Sequence, residues 1–153
     1  MPGTGETARA QPGGADGRWE LFAHDADIGV RGYGLTVAAA FENAALAMIT
    51  AIVDPAGLVP EQSVRIVCEA PDLELLLVDW LNALVFERAA RGLIFASFDV
   101  RITDGRLEAE ACGERVDPER HAPVVEVKGA TYNALRVAQG EDGIWTAQCV
   151  IDV

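Results

Sequence analysis

The chain is short of the side chains from which many sites are built. It has 2 histidines and 3 cysteines, and Lys128 is the single lysine among 12 basic residues. Cys68, Cys112 and Cys149 lie far apart, each in an apolar, strand-like segment, with no Cys-x-x-Cys pair or histidine cluster nearby. Structural zinc and a disulfide framework are therefore unsupported, and buried, reduced thiols are expected. There is no Gly-x-Ser-x-Gly and no cysteine–histidine pair near a helix start, so covalent hydrolysis has no support. Gly29, Gly32 and Gly34 are not followed by Gly-Lys-Ser/Thr, so they do not form a phosphate loop. No apolar run approaches the roughly 20 residues that span a bilayer. Residues 1–17, rich in Gly, Ala, Pro and Thr without apolar periodicity, lack the apolar stretch of a secretory leader. They read as a disordered tail before one domain at 18–153, and the expected location is the cytoplasm.

Positive charge is scarce as well. The sequence carries 24 acidic residues against 12 basic, a net charge of −12. Such a surface repels a polyanion, which argues against broad nucleic-acid binding by phosphate neutralisation. The same charge favours a divalent cation wherever carboxylates converge.

What is present is a clear alternation of helical and extended patterns. Trp19 to His24 and Ile28 to Tyr33 read as strands, with glycines that permit tight turns or close backbone approach. Thr36 caps a helix whose apolar residues Val37, Phe41, Ala44, Met48 and Ile52 recur at helical spacing, and Asp54-Pro55 ends it. Ser63 to Glu69 is a short strand. Asp72 caps a second helix with a broad apolar stripe from Leu73 to Val85; Arg88 and Arg91 suit its C-terminal dipole, and Gly92 stops it. The remainder looks extended. Leu93–Thr103 and Leu107–Val116 flank the hairpin signal Asp104-Gly105. Val124–Val127 and Thr131–Val137 follow, with a bulge expected at Gly129, and Ile144–Ile151 is the last strand. This order predicts an α+β single domain: a largely antiparallel sheet with two helices packed against it.

Three constellations carry chemistry. In His24-Asp25-Ala26-Asp27-Ile28-Gly29, extended backbone would put Asp25 and Asp27 on one side, a hard-cation arrangement; a merely polar turn is the competing reading. At the other end, Asp152 and the α-carboxylate of Val153 follow directly on a strand and can act together as oxygen ligands, or form an ordinary charged chain end. Lys128 sits in an apolar strand-like segment beside Gly129, where it can meet a phosphate or a partner's carboxylate, or simply blunt a strand edge. His121, in a charged loop, is expected to be solvated, and Glu74, Asp79 and Glu87 to face water.

Taken in order, Phe22-Ala23-His24-Asp25-Ala26-Asp27-Ile28-Gly29-Val30, Ala39-Ala40-Phe41-Glu42-Asn43-Ala44-Ala45, Leu75-Leu76-Leu77-Val78-Asp79-Trp80-Leu81-Asn82, Val125-Glu126-Val127-Lys128-Gly129-Ala130-Thr131-Tyr132 and Val150-Ile151-Asp152-Val153 resemble the archease family. The resemblance runs from about Trp19 to Val153. It implies an accessory protein, itself no enzyme, of the GTP-dependent RNA-splicing ligase. Such a protein promotes guanylylation of the ligase's active-site histidine and repeated turnover in tRNA splicing or RNA repair. The resemblance also implies a divalent metal, Ca2+ first with Mg2+ or Mn2+ as alternatives, held by Asp27, Asp152 and Val153. Asp25 stands where the family usually has threonine, so an additional ligand or an outlying charge is open there. Lys128 matches a family lysine, which makes it a candidate partner or nucleotide contact. The alternative is a general chaperone or protein-binding module in which the metal only secures the fold. A free-standing metal-dependent phosphoesterase fits least well.

Overall fold

The computed structural model describes residues 11–13 and 17–153, and the side chains from residue 18 onward. Strand β1 (Gln11–Gly13) pairs with β2 (Gly17–His24), and β2 with β3 (Asp27–Gly34). Sequence reading placed Gln11–Gly13 and Gly17 in the tail; the rest of that tail, residues 1–10 and 14–16, lies outside the described residues.

Helix α1 (Val37–Ile52) begins where Thr36 is extended and its hydroxyl accepts the Ala39 N–H at 3.0 Å. After a 3-10 turn at Pro55–Gly57 comes β4 (Gln62–Glu69). Helix α2 (Leu73–Arg91) is capped by Asp72, which accepts the Leu75 N–H at 2.8 Å, and ends at Gly92 in the left-handed region, φ 68°. Strands β5 (Leu93–Thr103) and β6 (Arg106–Arg115) close over Asp104 (φ 50°) and Gly105 (φ 76°), the two positive angles of a type I′ hairpin turn. A short helix α3 (Pro118–His121), strands β7 (Gly129–Ala130) and β8 (Arg136–Gln139), and the closing β9 (Trp145–Asp152) complete the chain.

The class is α+β, as expected, but the strands form two antiparallel sheets instead of one. The larger runs β1-β2-β3-β9-β7, with β8 also on β9; the smaller runs β4-β6-β5. Both long helices touch both sheets. Trp80 of α2 is fully buried and donates from Nε1 to the Phe41 carbonyl of α1 at 3.1 Å. Asn43, buried on α1, donates to the Tyr33 carbonyl of β3 at 2.6 Å, and Glu42 accepts the Val100 N–H of β5 at 2.8 Å. These bonds tie one helix to each sheet and to its partner helix, around a core that includes Phe41, Met48, Leu77, Leu81, Leu107 and Ile151.

Several local expectations change. Val124–Val127 is not a strand, and Gly129 is no bulge: β7 and β8 each pair with β9 and are separated by a turn. That segment has strand-like residues but no neighbouring strand to accept its backbone. His121 is not solvated. Its side chain is 3 % exposed; Nδ1 accepts the Asp117 N–H, and Nε2 lies 3.3 Å from Glu114. Asp79 is exposed as expected, but Glu87 is largely covered and pairs with Arg91 at 2.7 Å, and Glu74 accepts the Val137 N–H. Cys149 is buried, whereas Cys68 and Cys112 are half-buried; all three are free thiols. Burial pushes the Cys149 thiol up to about 12 and that of Cys68 up to about 11.

Gly32 shows why the glycines of β3 are needed. A Cβ there would collide with the backbone of α1 at Ala40 O and Ala44 N. Gly32→Ala must therefore push strand and helix apart, and a loss of about 1–3 kcal/mol is expected from urea unfolding.

Glu114 is buried beneath α3. Burial alone would raise its carboxyl, but the Val59 N–H, His121 and Arg120 outweigh burial and hold it below the usual carboxylate range. A lowered native value means stabilisation above the unfolded carboxylate value that is lost as pH falls through the native one. Glu114→Gln should lower stability at neutral pH and flatten the acid limb of a melting-temperature profile measured from pH 7 down to about pH 3.

Candidate metal centre

The start of β3 and the end of β9 meet in the large sheet. Strand β2 turns into β3 through Asp25 and Ala26, with His24 paired to Asp27. Asp25 is exposed in the left-handed region, φ 52°, a conformation that aspartate tolerates better than most residues. The alternation that would align Asp25 with Asp27 requires extended backbone, so it does not apply here.

Asp27 is half-buried as the first residue of β3. The β3–β9 register pairs Ile28 with Ile151, which puts Asp27 across from Asp152 one step further on. Val153 N–H donates to Asp27 Oδ1 at 3.4 Å, so the residue after β9 is drawn back to the start of β3. On its other side Asp152 pairs with Gly129, and its carbonyl accepts the Lys128 N–H at 2.7 Å. The structure thus brings Asp27, Asp152, Val153 and the backbone of Lys128 to one end of the sheet. Asp152 and Lys128 are exposed, and Val153 is half-buried against the core.

Supporting contacts come from residues to which sequence reading gave no role. Asn82 of α2 accepts the Ala130 N–H at 2.8 Å and so pins β7 from the helix side. Thr131 donates both its N–H and its hydroxyl to the Val150 carbonyl, and the Asn133 carbonyl accepts the Val150 N–H. The available signal was Asn82 itself, an amide set in the apolar run of α2.

The electrostatics are one-sided. Asp25, Asp27 and Asp152 form no ion pair with any described residue. Two carboxylates placed opposite each other without a neutralising side chain attract a cation. The donors are all oxygen, which suits a hard divalent ion better than zinc or copper. Among the described residues no three His, Cys, Asp or Glu side chains converge as a ligand set. A cation here must draw on backbone or terminal oxygens and water beyond Asp27 and Asp152. Such mixed oxygen shells are ordinary for Ca2+, and the residues fit that group.

Comparison with known proteins identifies the family. Residues 19–153 match the Archease protein family (MTH1598/TM1083). A "Protein archease" of Thermococcus gammatolerans is 44% identical over 140 residues, covering 89% of this chain and 99% of its own. A second, from Methanosarcina acetivorans, is 41% identical over 142 residues, covering 89% and 96%. The solution structure of protein 1598 of Methanobacterium thermoautotrophicum superposes with a TM-score of 0.77 at 32% identity, covering 88% of this chain and 98% of that one. The crystal structure of a Thermotoga maritima protein described as an archease and possible chaperone shares the fold, with a TM-score of 0.59 at 15% identity. Family match and identity extend over nearly the whole described chain, and the protein belongs to the archease family.

Proposed function

We propose that this chain is a metal-binding accessory protein that activates a GTP-dependent RNA-splicing ligase. In this reading it promotes guanylylation of the ligase's active-site histidine and repeated turnover in tRNA splicing or RNA repair. Family membership supports an accessory role. The observation that carries the metal-centred part is the placement of Asp27 across from Asp152, with the Val153 N–H drawn to the Asp27 carboxylate.

Asp27, Asp152 and the α-carboxylate of Val153 are the proposed ligands, and Ca2+ is the expected ion. When bound, the cation neutralises carboxylates that otherwise repel, and it staples the start of β3 to the end of β9. The protein's own residues do the rest. The Lys128 N–H and Asn82 hold the neighbouring backbone in place, while the exposed Lys128 ammonium is free of ion pairs with described residues and stands ready for a partner carboxylate or a phosphate. Guanylylation sets a triphosphate against a nucleophile, so its difficulty lies in charge and positioning, both of which a docked acidic protein can alter. A net charge of −12 favours action on the ligase over direct binding of RNA. Among the described residues no helix is long and apolar enough to cross a membrane, consistent with a cytoplasmic partner.

The second reading is a general chaperone or protein-binding module with a structural metal. Exposed Phe86, Val124 and Tyr132 favour it, as apolar surface available to clients. Binding to unrelated unfolded proteins in the absence of any ligase would select that reading.

Two experiments test the main proposal. In a guanylylation assay at limiting ligase with GTP, the wild-type chain should accelerate labelling, and Asp27→Ala and Asp152→Ala should abolish the acceleration. Normal stimulation by variants that no longer bind metal would refute the metal-centred mechanism. Calorimetric titration with Ca2+ gives an independent reading: either substitution should weaken binding at least tenfold, and a tag fused after Val153 should weaken it too, because the tag converts the terminal carboxylate to an amide.

A further inference from the structure

Away from the carboxylates, a cavity of about 450 Å³ opens between α1, the C-terminal half of α2 and the irregular segment 123–127. Its walls are mostly apolar, with Ile49, Ile52, Leu84, Val85, Val125 and Val127 among them. Segment 123–127 forms one lip. It is anchored at both ends, by the Val124 N–H to the Ile52 carbonyl at 2.9 Å and by the Lys128 N–H to the Asp152 carbonyl at 2.7 Å. Between the anchors, the N–H and carbonyl groups of Val125, Glu126 and Val127 make no hydrogen bond to a described residue. Exposure alternates along it, with Val124, Glu126 and Lys128 open and Val125 and Val127 half-buried, the period of an extended strand. A run of Val-Val-Glu-Val with no strand beside it is extended backbone whose hydrogen-bonding groups no described strand uses.

Charge supplies the second part of the argument. Arg88 on the α2 wall and Glu126 on the opposite lip both line the cavity, and neither forms an ion pair with a described residue. Every other arginine of α2 is paired, since Arg91 holds Glu87 at 2.7 Å. Val124 on the lip is 76% exposed, so apolar surface is open to solvent at the rim.

We propose that residues 123–128 receive an extended segment of a protein partner as an added strand. Its main chain pairs with Val125–Val127, one of its apolar side chains fills the cavity, and a carboxylate of the segment meets Arg88. Consecutive unmet backbone groups favour a peptide over a small amphiphile, because only a second main chain offers donors and acceptors at matching intervals. The surface is separate from the carboxylate pair and does not depend on metal binding. It joins that site through Lys128, whose N–H anchors the lip to Asp152.

The test is to pan a phage-displayed random decapeptide library on the full chain, then to titrate the synthesised winner by calorimetry and by amide NMR. The expected peptides alternate apolar and polar residues and carry an acidic residue. Their binding should shift the amides of Val125, Glu126 and Val127. Arg88→Ala and Ala89→Trp should each weaken binding at least tenfold while leaving the melting curve unchanged; Arg88→Lys keeps a cation and should lose less than Arg88→Ala. No binder, or a binder insensitive to both Arg88→Ala and Ala89→Trp, overturns the proposal. So does decanoate if it occupies the cavity while peptides do not, since the site would then belong to a small amphiphile. A concentration-dependent dimer that Ala89→Trp abolishes, seen by sedimentation without peptide, would assign the lip to a second copy and equally overturn it.

Discussion

The pairing of β3 with β9 is the contact on which the rest of the molecule depends. It joins an early strand to the last one, with Ile28 opposite Ile151 and Gly34 opposite Trp145. Among the described residues β7 and β8 pair with no strand other than β9, so their place in the sheet follows that of β9. Ala147, Cys149 and Ile151 enter the common core from this strand. A one-residue slip would drive Gln148 toward that core and would also part Asp27 from Asp152. Fold register and candidate site are thus one constraint. The pairing spans most of the chain, so it forms only after a large loop closes, which favours slow folding.

Helix α1 makes that register unambiguous. Gly32 lets the backbone of β3 lie directly on the helix, and the buried amide of Asn43 fixes the distance by holding the Tyr33 carbonyl. Through Glu42 and the Phe41 carbonyl, the same helix reaches β5 of the small sheet and Trp80 of α2. Polar contacts of this kind discriminate among packings in a way that apolar burial alone does not, because a misplaced buried amide loses its partner.

Acidic charge, 24 residues against 12 basic, is only partly met by basic side chains. Some of it is answered: Glu20 meets Arg31 at 2.6 Å, Glu108 meets Arg106 and Arg65, and Glu114 is enclosed by Arg120 and His121. At the end of the large sheet, Asp27 and Asp152 stand opposite each other with no such answer among the described residues. The two carboxylates lie where the start of β3 meets the end of β9. A buried, strongly protonated thiol at Cys149 nearby adds packing to this region and no nucleophile.

Local signals in the sequence determined the elements whose causes are local. Thr36, Asp72 and Gly92 set helix ends, and Asp104-Gly105 set a hairpin, because a cap or a turn is decided within a few residues. The family resemblance points to Asp27, Asp152 and Val153, which the structure brings to one end of the large sheet. Three things needed the tertiary structure. Strand content at Val124–Val127 depends on a neighbour that is missing, whereas the β-branched residues are present either way. The burial of His121 depends on Glu114 in another element, and nothing in the residues around His121 shows that. The meeting of Asp27 with Asp152 follows from the register of strands separated by nearly the whole chain, and periodicity, a property of one segment, carries no information about which other segment lies alongside it.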